Sequence, residues 1–365
     1  VALIEAYLYG ICVAQGHPDF AYVSFEDVFG RCTQCTVPPL PEICWPRPGD
    51  LHPTAVAGAL GSFHTPDGVL GLAGLFKGTV LFGIDSLSTQ VLAASPHFIN
   101  ISKTTNPSER RLMDYAVYAH RIFMANGAAQ PMGGIVYEDV ANCWAYNSVC
   151  VGGYEHRGTI QDFYDDTQAR SLFVNEPLTG REEPDLVGPY SMVLPISNFG
   201  RQLETGTSFS TPAVVGLAAL LTANRWRDVL GDPTLLRAVL LASADHNLTG
   251  PDETPLCTIE PCAPSAHVPL FADGVDDHDG AGAPRGELAL EILENQRFFS
   301  GYLDRDLDFD AAGSLTVPLN FSAGGLQVVR VALTWDQCAD EFVSLPDALL
   351  LDLDLVVSGP RPEVI

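Results

Sequence analysis

Short apolar runs rich in β-branched residues alternate with longer stretches of helical periodicity from residue 1 to about residue 245. Residues 1–8, 79–84, 97–101, 122–125, 148–152 and 185–187 are apolar without alternation, which predicts strands covered on both faces. Residues 54–60, 108–120, 211–222 and 233–242 between them carry helical spacing. Ser108 and Glu109, following Asn106-Pro107, form a helix start, and Leu112, Tyr115, Ala116 and Ala119 fall on one face. Strand, helix and strand in repetition predict an α/β fold of three layers around a mostly parallel sheet. Residues 247–286 turn to Pro, Gly, Asp and Ser, a loop composition, and residues 287–296 form a last helix. Beyond it the pattern alternates over residues 315–321, 327–335 and 349–357, as an all-β module begins. Two units are therefore expected: an α/β domain over residues 1–297 and a partial β-sandwich, jelly-roll-like, over residues 298–365.

The 365 residues carry 19 Lys+Arg against 45 Asp+Glu, a formal net charge of −26, with 47% hydrophobic residues. That apolar fraction supports a large core and excludes a disordered acidic chain. The negative charge repels phosphate backbones and anionic lipid, so neither nucleic acid nor a membrane surface is an expected partner. Ala213 to Leu221, the longest apolar stretch, is too short to cross a bilayer. No Met opens the sequence, and residues 1–4 already look like a buried strand, so a processed product is expected. Cysteines cluster in loops: Cys12, Cys32, Cys35 and Cys44 around a proline-rich segment, then the near pairs Cys143/Cys150 and Cys257/Cys262. This pattern fits disulfide staples of an oxidising compartment, hence a secreted, extracellular protein. The first four could instead be thiolate ligands of a zinc site. The ninth, Cys338, either pairs outside this sequence or is a buried free thiol.

Four segments carry candidate chemistry. Gly206-Thr207-Ser208-Phe209-Ser210-Thr211-Pro212 runs straight into an apolar helix, and Pro212 cannot donate to the carbonyl of Ser208, so the helix begins near Ser208. A serine there faces unpaired N–H groups and the positive end of the helix dipole, which favour a developing oxyanion; equally, Thr207, Ser208, Ser210 or Thr211 could merely be an N-cap. His52-Pro53 opens a second helix and leaves an imidazole at its mouth as a candidate general base. Glu5 ends the first apolar strand, at the carboxyl edge where open α/β sheets put their sites. Asn126 ends another strand at that same edge.

Together these segments resemble the subtilisin-like serine peptidases (subtilases). Gly206-Thr-Ser208-Phe-Ser-Thr-Pro212 resembles the family's nucleophile motif GTSxxxP, and His52-Pro-Thr-Ala-Val-Ala-Gly58 its HGTxVAG. Val1-Ala-Leu-Ile-Glu5 with His17-Pro18-Asp19-Phe20 resembles the aspartate strand and the HPDL that follows it. Ile99-Asn-Ile-Ser102, Met124-Ala-Asn126 and Pro184-Asp-Leu-Val-Gly-Pro189 resemble the substrate-binding strand, the oxyanion asparagine and PDxxAPG. The likeness spans roughly residues 1–297. It implies a serine endopeptidase acting on protein or peptide substrate through an acyl-enzyme. Ser208 would be the nucleophile, His52 the base, Glu5 the orienting acid, Asn126 an oxyanion donor, and Ser102 and Lys103 would contact substrate. It further implies a pro-segment inhibitor in the precursor and no cofactor for the chemistry.

The sequence departs from the family at three places. Glu5 stands where the family has Asp, Pro53 where it has Gly, and Lys103-Thr104-Thr105 where it has small residues. These departures motivate a second reading, a catalytically impaired subtilase-like binding protein. An esterase is disfavoured because no GxSxG occurs. Asp273, Asp276, Asp277 and Asp279 could hold a structural calcium ion or form a solvated loop, since their spacing does not match an EF-hand. Asp352 and Asp354, alternating with Leu, could ligate an ion or face water.

Overall fold

The computed structural model describes residues 1–5, 12–15, 17–20, 23–29, 51–61, 79–84, 86–103, 105, 109–128, 143, 145–155, 167–168, 174–175, 182–196, 200–245, 280–318, 329–336, 338–339, 353 and 355–356. In chain order the strands are β1 (Ala2–Ile4), β2 (Ser24–Asp27), β3 (Thr79–Ile84), β4 (Phe98–Ile101), β5 (Phe123–Gly127), β6 (Val149–Glu155), β7 (Thr167–Gln168), β8 (Val174–Asn175), β9 (Glu182–Glu183), β10 (Leu186–Pro189), β11 (Ser191–Pro195), β12 (Arg201–Thr205), β13 (Ala244–Asp245) and β14 (Ala283–Pro284). The helices are α1 (Leu51–Gly61), α2 (Thr89–Ala93), α3 (Arg110–His120), α4 (Thr207–Asn224), α5 (Trp226–Val229), α6 (Pro233–Ala242), α7 (Gly286–Glu294) and α8 (Arg305–Asp308), with a 3-10 turn at Pro18–Phe20.

The main sheet has the order β10-β6-β5-β4-β1-β3-β2, with every one of these neighbours parallel and β7 added antiparallel to β6. Side chains of successive residues leave it on opposite faces, and both faces are apolar. Leu3, Val80, Phe82, Phe98 and Phe123 pack into one core with α1, α4, α6 and α7. Ala2, Ile4, Leu81, Ile99 and Met124 pack into the other with α2 and α3. The predicted three-layer α/β architecture is what the chain adopts. Pattern reading missed β2, where exposed and half-buried positions alternate as at a sheet edge, and the β11–β12 hairpin. It also missed α2, which is a short helix capped by Ser88. Helix α3 begins at Arg110 with no side-chain cap, and the expected start at residues 106–108 lies outside the described residues.

Close backbone approaches position α1 and α4. A Cβ on Gly58 would sit 2.4 Å from the Pro195 ring, so only glycine lets α1 lie against β11. A Cβ on Gly188 would sit 2.7 Å from the Ser210 carbonyl oxygen, which sets how deeply the start of α4 seats on β10.

Cys143 and Cys150 are joined by a disulfide with a Cα separation of 5.4 Å. Cys338 is an exposed free thiol, not a buried one. Cys32, Cys35, Cys44, Cys257, Cys262, the acidic loop at Asp273 to Asp279, and Asp352 and Asp354 lie outside the described residues. Of residues 298–365, those described include α8, and none of them is assigned to a strand. Residues 334–336 are fastened to the α/β domain: Thr334 Oγ1 donates to the Thr234 carbonyl at 2.8 Å, and Asp336 pairs with Arg121 at 2.7 Å. Among the described residues, no helix is long and apolar enough to cross a membrane.

Since the Ser210 carbonyl belongs to helix backbone and cannot swing away, Gly188→Ala should destabilise the fold by about 1–3 kcal/mol. Urea denaturation should show a lower midpoint at unchanged slope.

Candidate active site

Parallel register gathers the candidate residues. Ile4 pairs with Ile101 and Ile101 with Asn126, so Glu5, Ser102 and Asn126 come to the carboxyl ends of three adjacent strands. Helix α1 brings His52 to the same edge from its first turn, where Pro53 needs no intrahelical N–H acceptor. His52 Nδ1 lies 2.7 Å from Glu5 Oε2, with the histidine side chain 23% exposed and the glutamate 2%. The longer carboxylate side chain therefore does reach the imidazole. Its ring packs against Phe209, with centroids 5.5 Å apart, which sets the imidazole beside the first turn of α4.

Helix α4 starts at Thr207 with Gly206 as N-cap and no side-chain cap. The alternative of a capping hydroxyl fails because the other hydroxyls are spent elsewhere. Thr207 Oγ1 donates to the Ala128 carbonyl at 2.8 Å, Ser210 Oγ to Pro189 at 3.1 Å, and Thr211 Oγ1 to Thr207 at 2.7 Å. The half-buried Ser208 hydroxyl makes no hydrogen bond among the described residues, including none to His52. Its N–H lies in the first turn, where no intrahelical carbonyl is available.

Ser102 takes a place that pattern reading did not foresee. Pro212 removes the N–H that would close the helical bond to the Ser208 carbonyl, and Ser102 Oγ donates to that carbonyl at 2.8 Å instead. The buried Asn100 holds Ser102 in turn, its Nδ2 donating to Ser102 Oγ at 2.9 Å. Asn100 was legible as a polar residue inside an apolar strand, which must find a partner. The buried Asn126 points its Nδ2 toward Thr105 Oγ1 at 3.4 Å. The Lys103 ammonium is bound to Glu109 at 2.6 Å, so its charge is neutralised within the fold.

Two further carboxylates bear on the site. Glu204, half-buried on β12 four residues before Ser208, acts electrostatically on His52. Asp19, buried in the Pro18–Phe20 turn, accepts a two-pronged pair from Arg201, including Nε to Oδ2 at 2.8 Å, and so ties down the start of β12. Burial pushes the Glu5 carboxyl above its ordinary value, while the charge and hydrogen bond of His52 pull the other way. Burial disfavours the His52 imidazolium, but the Glu5 carboxylate, its hydrogen bond and Glu204 outweigh this and hold its pKa above the ordinary value. In direct contact at 2.7 Å, the acid and the imidazole titrate as a coupled pair.

For a metal, one trio among the described residues, Cys143, Cys150 and Glu183, brings ligand atoms within 4.8 Å of one another, but the disulfide consumes both thiolates. That trio cannot serve as a thiolate site in this state.

No protein-family profile and no curated protein sequence matches the chain. Solved structures do. Fervidolysin from Fervidobacterium pennivorans, a keratinolytic enzyme related to subtilisin, superposes with a TM-score of 0.51 at 16% identity over 80% of this chain and 42% of its own. The prenylagaramide maturation protease PagA gives 0.48 at 18% identity over 80% of this chain and 92% of its own. MycP1 without its propeptide gives 0.49 at 18% identity, over 79% and 90%. The fold is subtilisin-like, as the motifs imply.

If Ser102 substitutes for the donor lost at Pro212, Ser102→Ala should cost about 1–3 kcal/mol. The loss should shrink in a Pro212→Ala background, where the helical N–H returns. Chemical denaturation of the four proteins measures this coupling.

Proposed function

We propose that the protein is a serine endopeptidase that hydrolyses peptide bonds of protein or peptide substrates through an acyl-enzyme on Ser208. The observation that carries this reading is the 2.7 Å contact between His52 Nδ1 and the buried Glu5 carboxylate, beside a helix-start serine whose hydroxyl is uncommitted. With Nδ1–H held by Glu5, the lone pair of the imidazole is on Nε2, the tautomer a general base needs. His52 takes the Ser208 proton as Oγ attacks the scissile carbonyl, then returns it to the leaving amine. Glu5 remains ionised and offsets the imidazolium charge. The Ser208 N–H and the Asn126 amide receive the oxyanion, each such donor being worth about 3–4 kcal/mol in the transition state. Hydrogen bonds from nucleophile to base are often long without substrate, so the uncommitted Ser208 hydroxyl is compatible with this role. An extended peptide would pair along the segment that follows β4 at Ser102 and Lys103.

Ser208→Ala should abolish casein hydrolysis and labelling by a fluorophosphonate probe while leaving the fold intact. Absence of labelling in folded protein carrying Ser208 would overturn the peptidase and favour a binding role for the same scaffold. Glu204 sharpens the expectation for pH. A neighbouring negative charge stabilises the imidazolium, so removing it lowers the His52 pKa and keeps the base neutral in more acidic solution. Glu204→Gln should therefore move the acid limb of the kcat/KM profile to lower pH, and an unmoved limb would refute the coupling.

A further inference from the structure

We infer that the Cys143–Cys150 disulfide is a positioning element for the oxyanion donors. The inference rests on the peptidase reading above. Both cysteines are buried, at 1% and 0% exposure, and with Ala128 they form a small core of their own. Cys150 is the register partner of Asn126, at the centre of a β5–β6 pairing that runs only from Ala125↔Val149 to Gly127↔Val151. Cys143 Sγ lies 3.5 Å from the Asn126 carbonyl oxygen. In the disulfide that sulfur has no proton, so the approach is a packing contact against the peptide behind the asparagine.

The same short segment touches the first turns of α4, on either side of the serine, at Thr207 and Thr211. Ala128 accepts from Thr207 Oγ1 at 2.8 Å, donates its own N–H to Val151 at 2.9 Å, and follows a glycine whose added Cβ would lie 3.0 Å from Thr211 Oγ1. Residues 126–128 are thus clamped between the disulfide on one side and the first turns of α4 on the other. The Asn126 amide and the Ser208 N–H derive their relative placement from this clamp. Stabilisation of an oxyanion depends on donors fixed before charge develops, and an error of a fraction of an ångström already reduces it. Removing the two sulfurs opens space behind the Asn126 peptide, and the strand end relaxes into it.

The test is a double-mutant cycle on the full chain. The pair Cys143→Ala/Cys150→Ala is made alone and together with Asn126→Ala, and kcat and KM are measured on a chromogenic peptide amide. Thermal melts establish that each protein is folded. Loss of the disulfide should lower kcat about tenfold while KM stays within about twofold. In the Asn126→Ala background it should lower kcat by less than about twofold, because misplacing an absent donor changes nothing. An equal loss in both backgrounds, an unchanged kcat, or a rise in KM alone overturns the inference. Should the double alanine variant not fold, the single Cys143→Ala variant, which breaks the disulfide and removes the sulfur against the Asn126 peptide, is read by the same criteria. Fluorophosphonate labelling of the unaltered protein separates the two claims. Labelling with no kcat effect refutes the positioning role alone, and no labelling refutes the peptidase reading with it.

Discussion

Helix α4 is apolar on every side and therefore needs cover on every side. The chain supplies it with α1, α5, α7 and the strands β4, β5, β6 and β10, so one helix is in contact with most of the domain. This burial demands thin walls. Gly188 and Gly153 let Ser210 come within reach of backbone, and Gly127 does the same for Thr207 and Thr211. A helix held so closely cannot rotate or slide without opening voids, and interiors at crystal-like density resist that. The orientation of residue 208 at the helix start is a consequence of this packing.

Polar groups at the head of α4 are then distributed by the need to satisfy backbone. Hydroxyls at positions 207, 210 and 211 go to carbonyls, and Ser102 donates where Pro212 leaves a gap. Ser208 keeps its hydroxyl available because its neighbours and Ser102 serve the carbonyls around it. The same economy operates at Glu5. A buried carboxylate is costly unless paired, and the pairing with His52 ties β1 to α1 across the site. That pairing makes the acid and the imidazole one titrating unit, to which Glu204 adds charge from the hairpin that leads into α4.

How much was legible in the sequence depended on whether the signal was local. Periodicity located β3 and α6 to their ends, and Pro212 marked the start of α4 to within a residue, because these features act through neighbouring residues. Glu5, His52, Asn126 and Ser208 were each recognisable as a polar residue at the end of a strand or the mouth of a helix. Edge strand β2 was missed because its half-exposed pattern lacks the continuous apolar run of a central strand. Asp19 with Arg201 was missed because its partners are 182 positions apart in sequence.

The sequence by itself determined the α/β class, the polar residues gathered at one sheet edge and the helix break at Pro212, since period and backbone chemistry are written in adjacent residues. Only the tertiary structure decided that the Glu5 carboxylate reaches His52, that Lys103 is neutralised by Glu109, and that Ser102 serves the backbone of Ser208. It also placed the Cys143–Cys150 disulfide behind Asn126. Those outcomes depend on strand register and on the depth at which α1 and α4 seat against the sheet. Both are set by packing between residues far apart in the chain, and no local pattern encodes them.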